Sequence, residues 1–209
     1  MVARYTVTTW DEFQNILAAP AHLPRVILDL RRLLYPLELR IGAGIGPITH
    51  PPRDPINVYS AGEAFERARQ ALESLKGRTG RRRRALTEFR TGRQTLDRVM
   101  NLVYTLHDTL ARNVSEKQWR TINVYMARRR QQAAAKRLEV NKSTVSRNLQ
   151  RGVYWQMSRT AEVIQEVLQG VLNRFGEFAW LRGEVAHAFS VLAWASAHAG
   201  WFHPRPSAS

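Results

Sequence analysis

Residues 131–150 read "QQAAAKRLEVNKSTVSRNLQ", a run of small and apolar side chains followed by a polar, basic second half. Gln131 to Leu138 carries Ala134, Ala135 and Leu138 at the spacing of one helix face, and Asn141 to Gln150 places Val145 and Leu149 on the inner face of a second helix. Between them "EVNK", starting at Glu139, is a tight turn. Two helices that cross steeply over so few residues leave no room for a large side chain where they touch, and Ala135 stands at that point. Val140 is expected to plug the turn, and Asn141 or Ser143 to cap the second helix. Glu139 occupies the turn position where glycine is usual, which asks a residue with a β-carbon to take a left-handed conformation at a cost of roughly 1 kcal/mol. The pattern is that of a helix-turn-helix, whose second helix enters the major groove of duplex DNA by its N-terminal half. A plain amphipathic helical hairpin shares the periodicity; the coincidence of small, apolar and capping residues within a basic segment favours DNA.

Charge supports that choice by its distribution. The 209 residues carry a formal net charge of +15. Residues 1–77 hold nine Lys or Arg against eight Asp or Glu, residues 78–151 nineteen against five, and residues 152–209 four against four. A net +14 gathered in the middle segment predicts a basic face there for a polyanion, with near-neutral surfaces elsewhere. An arginine-rich composition alone would have spread the charge evenly.

The DNA-facing positions of the second motif helix, expected over about 142–155, are Asn141, Lys142, Ser143, Ser146, Arg147 and Gln150. Arg147 and Gln150 have the geometry for bidentate contacts to guanine and adenine, whereas Lys142 and Arg151 suit phosphates. Arg128, Arg129 and Arg130 precede the motif and suit backbone contact or a solvated face. A preceding helix over Val114 to Ala127, with Ser115 as N-cap and Trp119, Ile122 and Tyr125 or Met126 inward, closes a three-helix domain.

Upstream, "GRTGRRRR" from Gly77 to Arg84 marks an exposed linker, either an arm for phosphates or a minor groove, or a soluble hinge. The next helix, Arg93 to Arg112, sets Val99, Leu102, Val103, Leu106 and Leu110 on one stripe, for packing or a dimer seam rather than a site. Nearer the N-terminus, "RYTVTTW" alternates like a strand and "DE" turns into "FQNILA". An amphipathic helix follows over "LPRVILDLRRLLYPL", then a strand in which Gly42, Gly44 and Gly46 share one face and let something approach closely. Ser60 to Lys76 is a helix with Ala64, Ala68 and Ala71 on a close-packing face.

The neutral tail reads as two helices, Arg159 to Phe175 and Glu177 to Ala199, with Gly176 as the stop between them. Trp180, Trp194 and Trp201 add more aromatic area than a two-helix hairpin buries, so the hairpin is expected to form a two-fold dimer over residues 158–200. Its apolar run, Val185 to Phe202, is broken by His187, Ser190, Ser196 and His198 and is too short for a membrane span. The chain has no cysteine and "MVARYTVTTWDEF" lacks a signal peptide's apolar run, which together point to the cytoplasm.

Four of these stretches, "TVTTWDEFQNIL", "LYPLELRIGAGIGPI", "AFERARQALESLK" and "SEKQW…QQAAAKRLEVNKSTVSR", resemble the SatD family of bacterial proteins from about Tyr5 to Trp155. The resemblance implies a GDEFQ-type hairpin similar to that of nucleotidyl cyclases, an R-x-G-x-G-x-G strand, and a helix-turn-helix similar to sigma-factor DNA-binding regions. Two departures limit what it carries. Trp10 replaces the hairpin glycine, and the family's opening strand with its Asp has no counterpart before the hairpin. Cyclase chemistry holds two metal ions between that carboxylate and the hairpin acid; here Asp11 alone remains as a residual metal candidate, with Glu12 on the opposite strand face. A sheet short of a central strand is then expected to be completed by a partner chain or by residues upstream of Met1.

The combined reading is an α+β protein, predominantly α, with a small partial palm-like sheet, a helix-turn-helix domain and a C-terminal helical hairpin. Its expected parts are a truncated cyclase-like domain (1–76), a basic linker (77–91), the DNA-binding domain (92–157) and the hairpin (158–209). The function implied is a transcriptional regulator that binds double-stranded DNA as a homodimer, with no cofactor, metal, catalytic residue or membrane. A nucleotide-binding or nucleotide-processing enzyme of cyclase-like fold is the alternative; an RNA adaptor lacks a visible aromatic strand for base stacking.

Overall fold

A computed structural model describes residues 6–9, 12–17, 19–47, 62–77, 85–180 and 190–197. Strands β1 (Thr6–Thr9) and β2 (Glu12–Leu17) form the N-terminal antiparallel pair, with an irregular register between Val7 and Thr9. Helix α1 (Leu23–Leu33) starts with Pro24 in its first turn, where a missing N–H costs nothing, and buries Leu23, Ile27, Leu28 and Leu30.

Strand β3 (Leu39–Gly46) shows why its glycines are spaced by two. Ile41, Ala43 and Ile45 enter the main core, and Gly42 and Gly44 face α2 (Glu63–Lys76) on the other side of the sheet. A β-carbon on Gly44 would overlap the carbonyl oxygen of Ala64, and one on Gly42 that of Ala68. Ala64, Ala68 and Ala71 are fully buried there, so the close approach is that of helix backbone to strand. Strand β4 (Thr87–Arg90) runs parallel to β3, pairing Phe89 with Ala43, and leads into α3 (Gln94–Arg112). Part of the segment expected as a linker is therefore a strand.

The remaining helices are α4 (Glu116–Arg128), α5 (Gln131–Leu138), α6 (Lys142–Arg151) and α7 (Tyr154–Trp180). A last strand, β5 (Ser190–Ala197), completes a five-stranded sheet of order β1-β2-β5-β3-β4. It lies antiparallel to both neighbours, with Ala193 opposite Asn15 on one side and Ala43 on the other. The fold is thus α+β and predominantly helical, with α2 on one face of the sheet and α1, α3 and α7 on the other.

Two expectations about the tail change. Helix α7 continues through Gly176, and the second hairpin helix, expected over Glu177 to Ala199, is β5 from Ser190 to Ala197. The central slot between β2 and β3 is filled by this same chain, where a partner chain or upstream residues were expected. The physical reason is the pair of open edges: two strands with unpaired N–H and C=O groups form more hydrogen bonds with an inserted strand than a surface helix gains from its own periodicity. The α3 stripe also differs. Met100, Tyr104, His107, Asp108 and Ala111 turn inward, while Leu102 and Leu106 are 63% and 60% exposed.

Inside the helical layer a buried charge pair joins four elements. Arg31 of α1 reaches Asp108 of α3 at 2.8 Å, donates to Thr87 Oγ1 of β4 at 2.7 Å, and donates to the Leu39 carbonyl of β3 at 3.2 Å. The Leu86 N–H donates to the other Asp108 oxygen at 2.8 Å, and His107 Nδ1 lies 3.5 Å from the carboxylate, at the limit of hydrogen-bond reach. Burial alone would raise the Asp108 pKa; Arg31, then His107 and the Leu86 N–H, outweigh it and hold the carboxyl below its ordinary range.

Asp108→Asn is expected to destabilise the fold by about 3 to 5 kcal/mol, because Arg31 would stay buried without a counter-charge. Asp108 has a depressed pKa when folded, so the stability it contributes is present above its unfolded value of about 3.9 and is lost as pH falls through the lower folded value. Denaturant titrations from pH 7 into the acid range check both points: the wild type should retain this contribution into the ordinary carboxylate range and lose it below, and the variant should lack that step.

Candidate nucleic-acid interface

Helices α4, α5 and α6 pack around one core of Trp119, Ile122, Met126, Ala134, Ala135, Val145 and Leu149. Ser115 caps α4 through a full capping box with Gln118, as its position before the helix predicts. Arg129 and Arg130 make the α4–α5 connection, Arg129 in the left-handed region at φ 59°. The α5–α6 turn contains Glu139 at φ 56° and ψ 42°, the left-handed conformation that the sequence demands of it. The turn closes with the Val140 N–H donating to the Ala135 carbonyl at 3.1 Å. Ala134 and Ala135 are buried at the crossing, where a larger side chain would push the helices apart.

Two details of the turn depart from expectation. Val140 is 37% exposed and leaves the plugging to Ala135 and Val145 beneath it. Asn141 takes the N-cap position of α6 with extended backbone but makes no side-chain capping bond, so its amide group stays exposed to solvent. Helix α6 ends at Arg151, short of the expected residue 155, because Gly152 and Val153, with φ 47°, turn the chain into α7. The expected helix ran through Gly152, the residue at which α6 stops. A β-carbon there would sit 3.1 Å from Gln118 Cβ and 3.2 Å from Ile122 Cδ1, so glycine lets the end of α6 lie against α4.

All ten expected contact residues lie at the surface. Asn141, Lys142, Ser143, Ser146, Arg147, Gln150 and Arg151 are exposed on or beside α6, and Arg128, Arg129 and Arg130 are exposed at the α4–α5 junction. Helix α6 carries no acidic residue, and among the described residues none of these six cations is in an ion pair. Arg147 Nη2 lies 3.5 Å from Thr144 Oγ1, a reach that leaves the guanidinium available. Sequence reasoning missed what holds α6 in place from behind: Asn148 Nδ2 donates to Thr121 Oγ1 of α4 at 3.0 Å. A polar residue on the half-buried flank of an amphipathic helix gives only a weak signal of such a tie.

A SatD family model matches residues 1–168. The chain belongs to the SatD family. The match takes in the sheet's first four strands, the helix-turn-helix and the start of α7, and β5 lies outside it. No curated protein and no solved structure matches the chain. In this SatD-family chain the residual metal candidate Asp11, with Trp10, lies outside the described residues, and Glu12 is paired with Lys76 at the end of α2. Among the described residues no three His, Asp or Glu side chains are grouped to hold a metal ion, and no helix is long and apolar enough to cross a membrane.

Glu139→Gly relieves the left-handed strain in the α5–α6 turn and is expected to raise thermal stability by up to about 1 kcal/mol, with the mean helix content unchanged. Circular dichroism melts of the two proteins check it.

Proposed function

We propose that this protein is a DNA-binding transcriptional regulator that lays α6 in the major groove. The observation that carries the reading is the outward face of α6: six polar or basic residues, Asn141, Lys142, Ser143, Ser146, Arg147 and Gln150, all exposed on a helix with no acid and held from behind by Val145, Leu149 and Asn148. Such a helix is rigid where it must be positioned and unpaired where base edges and phosphates would meet it. Arg147 and Gln150 are assigned to bases, and Lys142, Arg151 and the Arg128–Arg130 run to phosphates. The sheet half serves as a scaffold or sensor.

Binding of a duplex selected from random sequence for affinity to the protein, followed by fluorescence anisotropy, is expected to weaken by roughly 10³ to 10⁵ fold between 50 and 200 mM salt if about six to ten phosphates are engaged. Arg147→Ala should cost about 1 to 3 kcal/mol at one base position and relax preference there, whereas Lys142→Ala should weaken all sequences alike and flatten the salt slope by about one. Equal affinity of wild type and Arg147→Ala for every sequence would overturn the base-reading assignment.

One observation favours a second reading, in which the sheet half takes a phosphorylated small molecule. An open cleft of about 1040 Å³ lies where β4 ends and α3 begins; its lining includes Arg98 and the ion-paired Arg67 and Arg90 beside Glu88 and Asp97. The crevice beyond the carboxyl ends of parallel strands is a common ligand position. Calorimetry with a nucleoside triphosphate should give binding that Arg98→Ala weakens at least about tenfold; heats at the level of dilution would remove this reading and leave the DNA assignment untouched.

A further inference from the structure

We infer that the exposed face of α3, with the adjoining turn of α7, is the seam at which two copies of this chain pair about a two-fold axis. On α3, Val99, Leu102, Leu106 and Leu110 are 54%, 63%, 60% and 37% exposed. Four large aliphatic side chains in one helical stripe are a continuous patch, which a soluble surface rarely leaves open. On α7, Trp155, Val163 and Val167 are 47%, 38% and 39% exposed. The two strips adjoin: a shallow groove of about 490 Å³ runs between them, walled by Val103 of α3 and by Trp155, Val163 and Ile164 of α7.

Three features make a second copy the occupant. The first is that one surface carries both parts of a joint. Leu102 and Leu106 stand proud of α3, and the groove beside Val103 is apolar and open enough to receive a leucine, so each copy offers the knob and the hole that the other needs. That is the signature of an isologous interface, in which residue i meets j and j meets i. The second feature is spacing. Along the exposed stripe of Val99, Leu102, Leu106 and Leu110, an antiparallel α3 sets Val99 near the partner's Leu110 and Leu102 near the partner's Leu106. The third is charge. Residues 78–151 carry net +14, and like copies repel over most of that surface. The stripe from Val99 to Leu110 exposes no charged side chain, and the groove's rim holds the opposed pair Arg159 and Glu162 at 3.3 Å. Seven large apolar side chains from each copy reach the scale of roughly 1,200 Å² at which specific interfaces begin.

The pairing would also bring two α6 helices into one particle, since α7 leaves α6 within three residues of Arg151. The inference nevertheless stands on the surface alone and does not depend on what α6 contacts.

Sedimentation of the full chain at micromolar concentration should give a dimer, and Leu106→Glu should raise its dissociation constant by at least about 100-fold with an unchanged far-ultraviolet circular dichroism spectrum. Because the chain has no cysteine, Leu106→Cys supplies a single thiol near the axis, which a short bismaleimide should link into a covalent dimer; Gln132→Cys on exposed α5 should stay unlinked. A monomeric full chain, a Leu106→Glu protein that remains dimeric, or linking only through residue 132 would each overturn the seam.

Discussion

The guanidinium of Arg31 is buried where α1, β3, β4 and α3 meet, and the geometry of both halves of the molecule depends on how it is satisfied. A buried cation with a single partner would be a liability. This one has a carboxylate, a hydroxyl and a carbonyl, each from a different element, so no one of those elements can shift without leaving a charge exposed to a medium that solvates it poorly. Helix α1 then transmits the constraint. Leu28, three residues earlier, belongs to the helix-turn-helix core, and Arg32, the next residue, donates to Asn123 Oδ1 at 3.3 Å while its carbonyl accepts from Asn123 Nδ2 at 3.1 Å. The helix that closes the sheet is thus also a wall of the three-helix core, and Tyr35 just beyond it lies over the Trp119 ring at a centroid distance of 6.2 Å. Helix α6 is thereby held in a fixed relation to the sheet. Anything that moved α1 would move α4, and α6 with it.

Small residues play the same part in both halves. Gly42 and Gly44 admit α2 onto the sheet, Ala134 and Ala135 admit α5 onto its neighbours, and Gly152 admits the end of α6 onto α4. Close backbone approach at these three places leaves few large side chains to share between layers. Large side chains gather instead in the main core around Phe89 and Tyr104, whose rings lie 4.7 Å apart, and around Trp119 in the helix-turn-helix core.

Local constraints were legible in the sequence. The α5–α6 motif could be read because alanine at the crossing and a strained residue in the turn are demands that neighbouring residues place on one another. The Ser115 capping box is equally local. What could not be read was which of two faces α3 buries. By polarity, His107 and Asp108 belong outside and Leu102 and Leu106 inside; the structure reverses this because Arg31, 77 residues away, makes the polar face the one that must be enclosed. Strand β5 was hidden for a related reason. "SVLAWASA" fits a helical stripe and a two-residue alternation alike, and the choice was made by an open slot whose edges lie far off in the chain. Asn148 falls in the same class, since its partner is Thr121 on another helix.

The position of β5 also sets an order of events. Strands β1 to β4 leave the ribosome first, as two separate pairs with a gap between them, and the strand that joins them is the last described segment to be made. Domains tend to fold as they emerge, N-terminal parts first. Here the helix-turn-helix core, drawn from α1 and from α3 through the first turn of α7, is complete in sequence before the sheet is. The sheet waits through α7 with two hydrogen-bonding edges exposed, then closes by a pairing such as Asn15 with Ala193 that spans most of the chain, the kind of non-local contact that slows folding. A truncated product released before residue 190 would therefore carry the three-helix half on an unfinished sheet with two exposed edges, which makes the half-made chain prone to aggregation at the slot that β5 fills in the complete one.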